Sequence, residues 1–476
     1  MLSLPLDLIA RILRAERAAA PVEAREALVR RVVIDSRECS PGDLFVAIAG
    51  ERVDGHRYVR AALDRGAVGA LVTRERADPD DLRDPRVLAT PDAIDALGVL
   101  AAWHRSRCRA RIVVVTGSVG KTTTKDFMAG ILSECGCAHK NRGNLNNELG
   151  LPLTLLGLSP DHEFAVVELA MRGPGQIRAL AEMARPERAI ITNIGHSHIE
   201  LLGSRQAIAE AKSEVLDYLP FGGAAILPAQ DDFVEFLCAR VPCGANPVLF
   251  GANDPNRSSL WADVESGVDA SGLPVTTMRI RGPGSNRRRR VALPVLGRHN
   301  AMNALSAAAC AWSMGLPNRA IADGLERAEI SAMRMTRKQM PDGVTLLDDA
   351  YNASSPEAMR AALEVLSELP ASRRIAVLGD MLELGEESLA VHSQVGEMIA
   401  AYRPDDLIAF GERAERYVTS AVEAGYPDGR CVALRSHSAV VDAIRERSVT
   451  GAAILVKGSR GMQMEQIVAA LAESGG

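Results

Sequence analysis

The run Val113-Val114-Val115-Thr116-Gly117-Ser118-Val119-Gly120-Lys121-Thr122-Thr123 constrains the fold more than any other segment of the chain. Its β-branched residues predict a buried strand, its two glycines a tight turn, and Lys-Thr-Thr the first turn of a helix, which together demand a parallel α/β sheet. Gly117 and Gly120 let the backbone curl so that N–H groups converge on phosphate oxygens at the positive end of that helix. Lys121 is expected to neutralise β and γ oxygens, and the Thr122 hydroxyl to hold Mg²⁺. A strict G-x-x-x-x-G-K-T spacing would need glycine at 115, where Val115 stands. The shorter T-G-x-x-G-K-T remains, and its strand–turn–helix context predicts a nucleotide phosphate site.

Magnesium-assisted phosphoryl transfer also needs oxygen or imidazole ligands at the ends of neighbouring strands. Glu168 ends one predicted strand; Asn193, His196, His198 and Glu200 follow another. Lys212 lies on a helix predicted over 204–218, where position alone leaves a solvated lysine and a functional one both open.

Around this site the chain divides in three. Residues 1–17 read as a charged amphipathic helix, since Asp7, Arg11, Arg14, Glu16 and Arg17 interrupt the apolar run that a signal peptide needs. Short strands at 32–35 and 44–49 with a helix over 59–65 predict a small α/β unit, which closes near Thr90. Strands at 112–116, 164–168, 189–193 and 224–227 alternate with helices, the signature of a parallel sheet. Residues 247–295 change texture to short strands with Gly, Pro and Ser turns, an antiparallel excursion with the run 287–290 (all arginine) at a solvated hairpin tip. After an Ala-rich helix over 299–314, strands at 345–348, 374–378, 407–410 and 453–456 predict a second βα series. The expected fold is therefore α/β in three domains: a small N-terminal α/β domain (1–90), a central phosphate-loop domain (91–329) and a Rossmann-like C-terminal domain (330–476).

Composition narrows the partners. A net charge of −5 on 476 residues excludes a globally basic nucleic-acid binder. Eight cysteines with no paired Cys-x-x-Cys spacing fit reduced thiols better than disulfides or zinc. No stretch approaches about 18 uninterrupted apolar residues, so no membrane helix is expected and the reading is cytoplasmic.

With these residues assembled, the chain resembles the Mur ligase family of ATP-dependent amide-forming enzymes over most of its length. The phosphate loop, Thr192-Asn193-Ile194 leading to His198, Gly297-Arg298-His299-Asn300-x-x-Asn303 and Asp348-Asp349-Ala350-Tyr351-Asn352 follow the family order. Within the family, Asn144-Leu145-Asn146-Asn147-Glu148-Leu149-Gly150, Gly379-Asp380-Met381-Leu382-Glu383-Leu384-Gly385, Val456-Lys457-Gly458-Ser459-Arg460 and the front segments Asp35-Ser36-Arg37 and Asp54-Gly55-His56 are most similar to the member that adds D-alanyl-D-alanine to UDP-N-acetylmuramoyl-tripeptide.

The resemblance implies a set of roles. Thr116 to Thr123, including Gly117, Ser118, Val119 and Gly120, would bind ATP phosphates. Thr122, Glu168 and His198 would be metal ligands, and Lys212, if carbamylated, would join them. Lys121, His198, Lys212 and Arg334 would serve catalysis; Asn300, Asn303, Arg334, Asp349 and Asn352 would complete the ATP site. Ser36, Arg37, Asn146 and Asn147 would meet the UDP substrate. ATP and Mg²⁺ would be required, the third domain would turn on residues 328–331, and the protein would be a monomer. Departures from the family pattern are Ala170, Met333 where glycine is common, Ser354-Ser355-Pro356 and Gly461. Competing readings are a third-residue muramyl peptide ligase, folylpolyglutamate synthase, or a silent nucleotide-binding regulator.

Overall fold

The structure, a computed structural model, describes residues 3–19, 21–50, 53–197, 199–270, 272–282, 289–340, 343–353, 355–382 and 384–473. A two-residue ladder, β1 (Leu4–Pro5) with β2 (Leu28–Val29), precedes a four-stranded parallel sheet: β3 (Arg31–Val33), β4 (Asp43–Val46), β5 (Gly69–Thr73) and β6 (Val87–Thr90), in that order. The N-terminal helix is shorter than its charge pattern suggested. It runs Leu6–Leu13 and closes on Arg14, whose left-handed backbone (φ 50°) lets its N–H reach Ala10 and Arg11 carbonyls.

Nine strands build the central sheet: β7 (Arg111–Thr116), β8 (Ala138–Lys140), β9 (Phe164–Glu168), β10 (Arg188–Ile191), β11 (Ala224–Pro228), β12 (Asn246–Ala252), β13 (Leu260–Val268), β14 (Pro274–Arg281) and β15 (Arg290–Leu293). Their order is β15-β14-β13-β12-β11-β10-β7-β9-β8. Burial on both faces explains why β7 is apolar throughout: Ile112 and Val114 enter one core, Val113 and Val115 the other. The antiparallel texture expected for 247–295 is confined to β13–β15, because β12 pairs parallel with both β11 and β13. Of the arginine run, 287 and 288 lie outside the described residues; Arg289 is held by Asp323 and Glu326 at 2.6 and 3.1 Å.

The third sheet has the order β16 (Thr336–Gln339), β17 (Thr345–Asp349), β21 (Ala453–Lys457), β18 (Arg374–Gly379), β19 (Asp406–Phe410), β20 (Cys431–Leu434), all parallel except β16. The last strand thus inserts between β17 and β18, which brings the ends of β17 and β21 side by side facing the central sheet.

Sequence boundaries and cores do not coincide at residue 90. The helix Ala93–Arg105, capped by Asp92 on Ile94 and Asp95 N–H, shares one apolar cluster with Leu44, Leu71 and Leu88 in front and Ile112 and Val114 behind. The first two units are therefore joined by packing. All eight cysteines are free, and no described helix is long and apolar enough to cross a membrane.

Candidate active site

The phosphate loop leaves β7 as the sequence predicts and opens the helix Lys121–Ser133. Gly117 (φ 143°) and Gly120 (φ 87°) occupy backbone that side chains resist. A Cβ on Gly117 would fall 1.9 Å from Thr192 Oγ1, and one on Gly120 2.2 Å from Asn303 Oδ1. The loop is pinned from β10, since Val119 N donates to Asn193 Oδ1 at 3.0 Å and Thr192 Oγ1 donates to Val119 O at 2.6 Å.

Charge gathers at its mouth. Lys121 Nζ folds onto Gly117 O (2.9 Å) and Ser118 O; Lys212 Nζ, on a fully buried face, donates to the same Gly117 O at 3.0 Å. Burial pulls the Lys121 ammonium down, with Glu168 opposing it, and pulls Lys212 well below the ordinary lysine value, the Lys121 charge adding to the effect. Thr122 Oγ1 donates to Glu168 Oε2 and Asn146 Nδ2 to Glu168 Oε1, both at 2.8 Å.

From the third unit Arg334 reaches across, its Nη2 donating to Thr122 Oγ1 at 3.2 Å and its guanidinium lying 3.9 Å over the Tyr351 ring. Nε of Arg334 is buried with no partner among the described residues. Met333 and Met335 flank it with φ of 60° and 53°. The position where glycine is common thus takes a left-handed backbone, which costs methionine about 1–2 kcal/mol. A second departure is also accommodated: Ser355 Oγ accepts from Ala358 N and Pro356 starts the helix Pro356–Glu368, while Ser354 lies outside the described residues.

A cleft of about 560 Å³ runs between the central and third units. Of the residues singled out in the sequence it brings together Ser118 to Thr123, Asn146, Glu168, Asn193, His196, Asn300, Asn303, Arg334, Asp349 and Asn352, and it adds Arg205, His299, Tyr351, Glu357, Arg360 and Lys457. Lys457, quoted in a motif without a role, ends β21 opposite Asp349. His299, half-buried in the cleft wall, has its imidazole pushed down to about 4 by desolvation.

Other anticipated residues stand apart. Thr116 is fully buried, its hydroxyl spent on Leu169 O at 3.0 Å. Asn147 does not line the cleft; its Oδ1 accepts from Gly150 N at 3.0 Å at the start of the helix Gly150–Leu156. Ser36 and Arg37 lie in the short 3-10 turn Ser36–Glu38 between β3 and β4, where Arg37 clamps Asp35 and, with its own backbone N–H, lowers that carboxyl to about 2. His198 lies outside the described residues.

The oxygen set of Thr122 and Glu168 suits a hard cation that is shared with substrate phosphates. Among the described residues no cluster of three or more His, Cys, Asp and Glu side chains forms a self-sufficient metal cage.

The fold and the site define one class of protein, and comparison with known proteins agrees. The chain matches the Mur ligase family catalytic domain over 28–104, the Mur ligase middle domain over 115–311 and the Mur ligase glutamate ligase domain over 333–460. The chain belongs to the Mur ligase family, and as such is an ATP-dependent, amide-forming ligase. Among its relatives, the UDP-N-acetylmuramoyl-tripeptide–D-alanyl-D-alanine ligase of Escherichia coli (strain K12) is 36% identical with 100% of both chains covered. A crystal structure of MurF from Acinetobacter baumannii superposes with a TM-score of 0.87, at 30% identity over 99% of each chain. MurF ligase from Thermotoga maritima in complex with ADP gives 0.80 at 27% identity, covering 94% of this chain and 97% of that one.

Proposed function

We propose that the chain joins D-alanyl-D-alanine to UDP-N-acetylmuramoyl-tripeptide, giving the UDP-linked pentapeptide, ADP and phosphate in peptidoglycan precursor synthesis. The observation that carries this reading is the full-length likeness to a ligase of that name together with a cleft that unites Lys121, Glu168 and Arg334. The third-residue ligase, the folate ligase and the silent regulator are not favoured, since relatives that match over 94% to 100% of the chain at 32% to 36% identity carry the D-alanyl-D-alanine name.

In the chemistry that fits this site, the tripeptide's terminal carboxylate attacks the γ-phosphorus of ATP, forming an acyl phosphate and releasing ADP. The amine of the dipeptide then attacks the acyl carbon and expels phosphate. Two anions must meet in the first step, so the protein's task is electrostatic: Lys121 from the loop and Arg334 from the third unit screen the transferring group. Mg²⁺ fits the oxygens of Thr122 and Glu168, with His198 and carbamylated Lys212 assigned by resemblance; when bound it supplies charge neutralisation. Ser118, Val119, Gly120 and Thr123 offer loop contacts to phosphate, Thr116 and Gly117 support them from beneath, and Asn300, Asn303, Asp349 and Asn352 hold the nucleoside end.

The reading divides the work as 1–90 for the uridine nucleotide through Ser36 and Arg37, with Asn146 and Asn147 toward the peptide; 91–329 for ATP; and 330–476 for closure and the incoming dipeptide. It treats the protein as a cytoplasmic monomer whose third unit turns on residues 328–331. The test is phosphate release with Mg-ATP, UDP-tripeptide and D-alanyl-D-alanine, each omitted in turn. Release that needs all three, with a pentapeptide product by mass, supports the reading; release supported by a folate or a single amino acid overturns it.

A further inference from the structure

Beside the phosphate loop, one lobe of the same cleft is lined by His196 and Arg205 from the central unit and by Glu357 and Arg360 from the first two turns of the helix Pro356–Glu368. Two polar atoms there are buried without a hydrogen-bond partner: Nε of Arg205 and Oε2 of Glu357. Buried polar groups are nearly always paired, so each calls for a partner that the described residues do not supply.

Both side chains are otherwise held. Arg205 donates from Nη1 to Asp232 Oδ2 at 2.8 Å and from Nη2 to Ile194 O at 3.0 Å, and its guanidinium lies 5.2 Å over Phe233. Glu357 Oε1 takes the His196 Nδ1 contact at 2.5 Å, the carboxylate is also held by the Ser355 hydroxyl and its own backbone N–H, and Oε2 alone has no hydrogen-bond partner at normal distance. That oxygen sits beside the phosphate loop: a methyl group placed on Gly195 would lie 4.0 Å from Glu357 Oε2 and 3.4 Å from Ser118 Cβ. A cationic donor bound by Glu357 would therefore stand next to the loop where phosphoryl transfer takes place.

The lobe offers one unmet acceptor atom, Glu357 Oε2, and one unmet donor atom, Arg205 Nε, on side chains that otherwise meet His196 and Asp232. An anionic carboxylate alone would meet Glu357 unfavourably, and a nucleotide phosphate would leave Glu357 unpaired. A zwitterion with an ammonium at one end and a carboxylate at the other satisfies both. We propose that this lobe seats the incoming dipeptide, with Glu357 Oε2 accepting from its ammonium group and Arg205, assisted by Arg360, facing its carboxylate. The proposal rests on the reading of the chain as a ligase that accepts a dipeptide amine. Glu357 holds the amine in place; it is a substrate-binding residue and is not assigned the amine's proton.

The test compares wild type with Glu357→Gln, His196→Asn and Arg205→Gln under steady-state conditions with Mg-ATP and UDP-tripeptide. A lost charge-assisted hydrogen bond predicts a rise of about 10- to 100-fold in the D-alanyl-D-alanine KM for Glu357→Gln, with the ATP KM little changed. Hydroxylamine, uncharged in mildly alkaline buffer, should intercept the acyl phosphate in Glu357→Gln as well as in wild type, which shows that the variant is folded and competent in the first step. Arg205→Gln should raise the KM for the free dipeptide and leave that for its C-terminal amide nearly unchanged. His196→Asn removes the contact to Oε1 but keeps the Glu357 carboxylate, and its dipeptide KM should rise less than that of Glu357→Gln. An unchanged dipeptide KM in Glu357→Gln, or equal rises in Glu357→Gln and His196→Asn, overturns the proposal while the reading stands. A wild type that makes no pentapeptide overturns the reading and the proposal together.

Discussion

Lys457 and Asp349 stand in register on the adjacent parallel strands β21 and β17, and Lys457 Nζ meets Asp349 Oδ2 at 2.6 Å while also donating to Asn352 O at 3.0 Å. The other Asp349 oxygen accepts from Met335 N at 3.0 Å, so this one pair aligns the strand ends, the Asn352 backbone and the segment that carries Arg334. With side chains only 4% and 15% exposed, the pair is close to a buried one. Removing one partner of such a pair costs about 3–5 kcal/mol, because the remaining charge is left uncompensated. Lys457→Met should therefore lower the urea midpoint followed by circular dichroism, and Lys457→Met with Asp349→Asn should recover much of the loss. A single variant as stable as wild type would contradict this.

Gly120→Ala tests the phosphate cradle. The added methyl would collide with the Asn303 amide in a backbone conformation already unfavourable to alanine. Titration calorimetry should show ADP affinity reduced by at least about tenfold, which corresponds to about 1.4 kcal/mol. The far-UV spectrum should be unchanged, since the loop lies outside the cores.

Arg334→Lys separates charge from shape. Lysine keeps the positive charge but loses the planar group that lies over Tyr351 while reaching Thr122. The expected outcome is a fall in kcat of about 10²-fold with a smaller change in ATP KM, the pattern of an interaction made chiefly in the transition state. A wild-type kcat would remove Arg334 from the transfer step.

His299 makes stability depend on pH. Its folded value is pushed down to about 4 from 6.5, so the unfolded chain binds the proton more readily. The stabilisation from keeping it neutral is complete above about pH 6.5 and is lost as the pH falls toward 4. Denaturation midpoints at a series of pH values should fall less steeply across that window in His299→Gln than in wild type.

Much of the site was legible because it is local. Gly117, Gly120, Lys121 and Thr122 sit on one strand–turn–helix, and their shared placement follows from spacing alone. Lys457 was not legible in the same way: it gains a partner only because β21 inserts between β17 and β18, a topological fact with no local signal beyond a lysine at a strand end. Glu357 and Arg205 are more remote still, since each becomes a cleft residue only when two units meet. Within the fold, β8 escaped notice because three half-buried residues, Ala138–Lys140, carry no period. The parallel pairing of β12 and β13 was hidden for a different reason: the Pro, Ser and Gly turns around them look like hairpin turns.

Asp126 lies on the helix that begins at Lys121, and its Oδ2 accepts from both Ser331 N (2.9 Å) and Ser331 Oγ (2.7 Å). The chain entering the third unit is thus tethered one turn below the phosphate loop, and three residues of extended chain reach at most about 11 Å. Arg334 consequently rides on a short radius, whatever orientation the third sheet adopts, while residues out on β18 and β19 travel on a long one. Any swing of the third unit would sweep the far wall of the cleft over a wide arc and leave the arginine close to the phosphates.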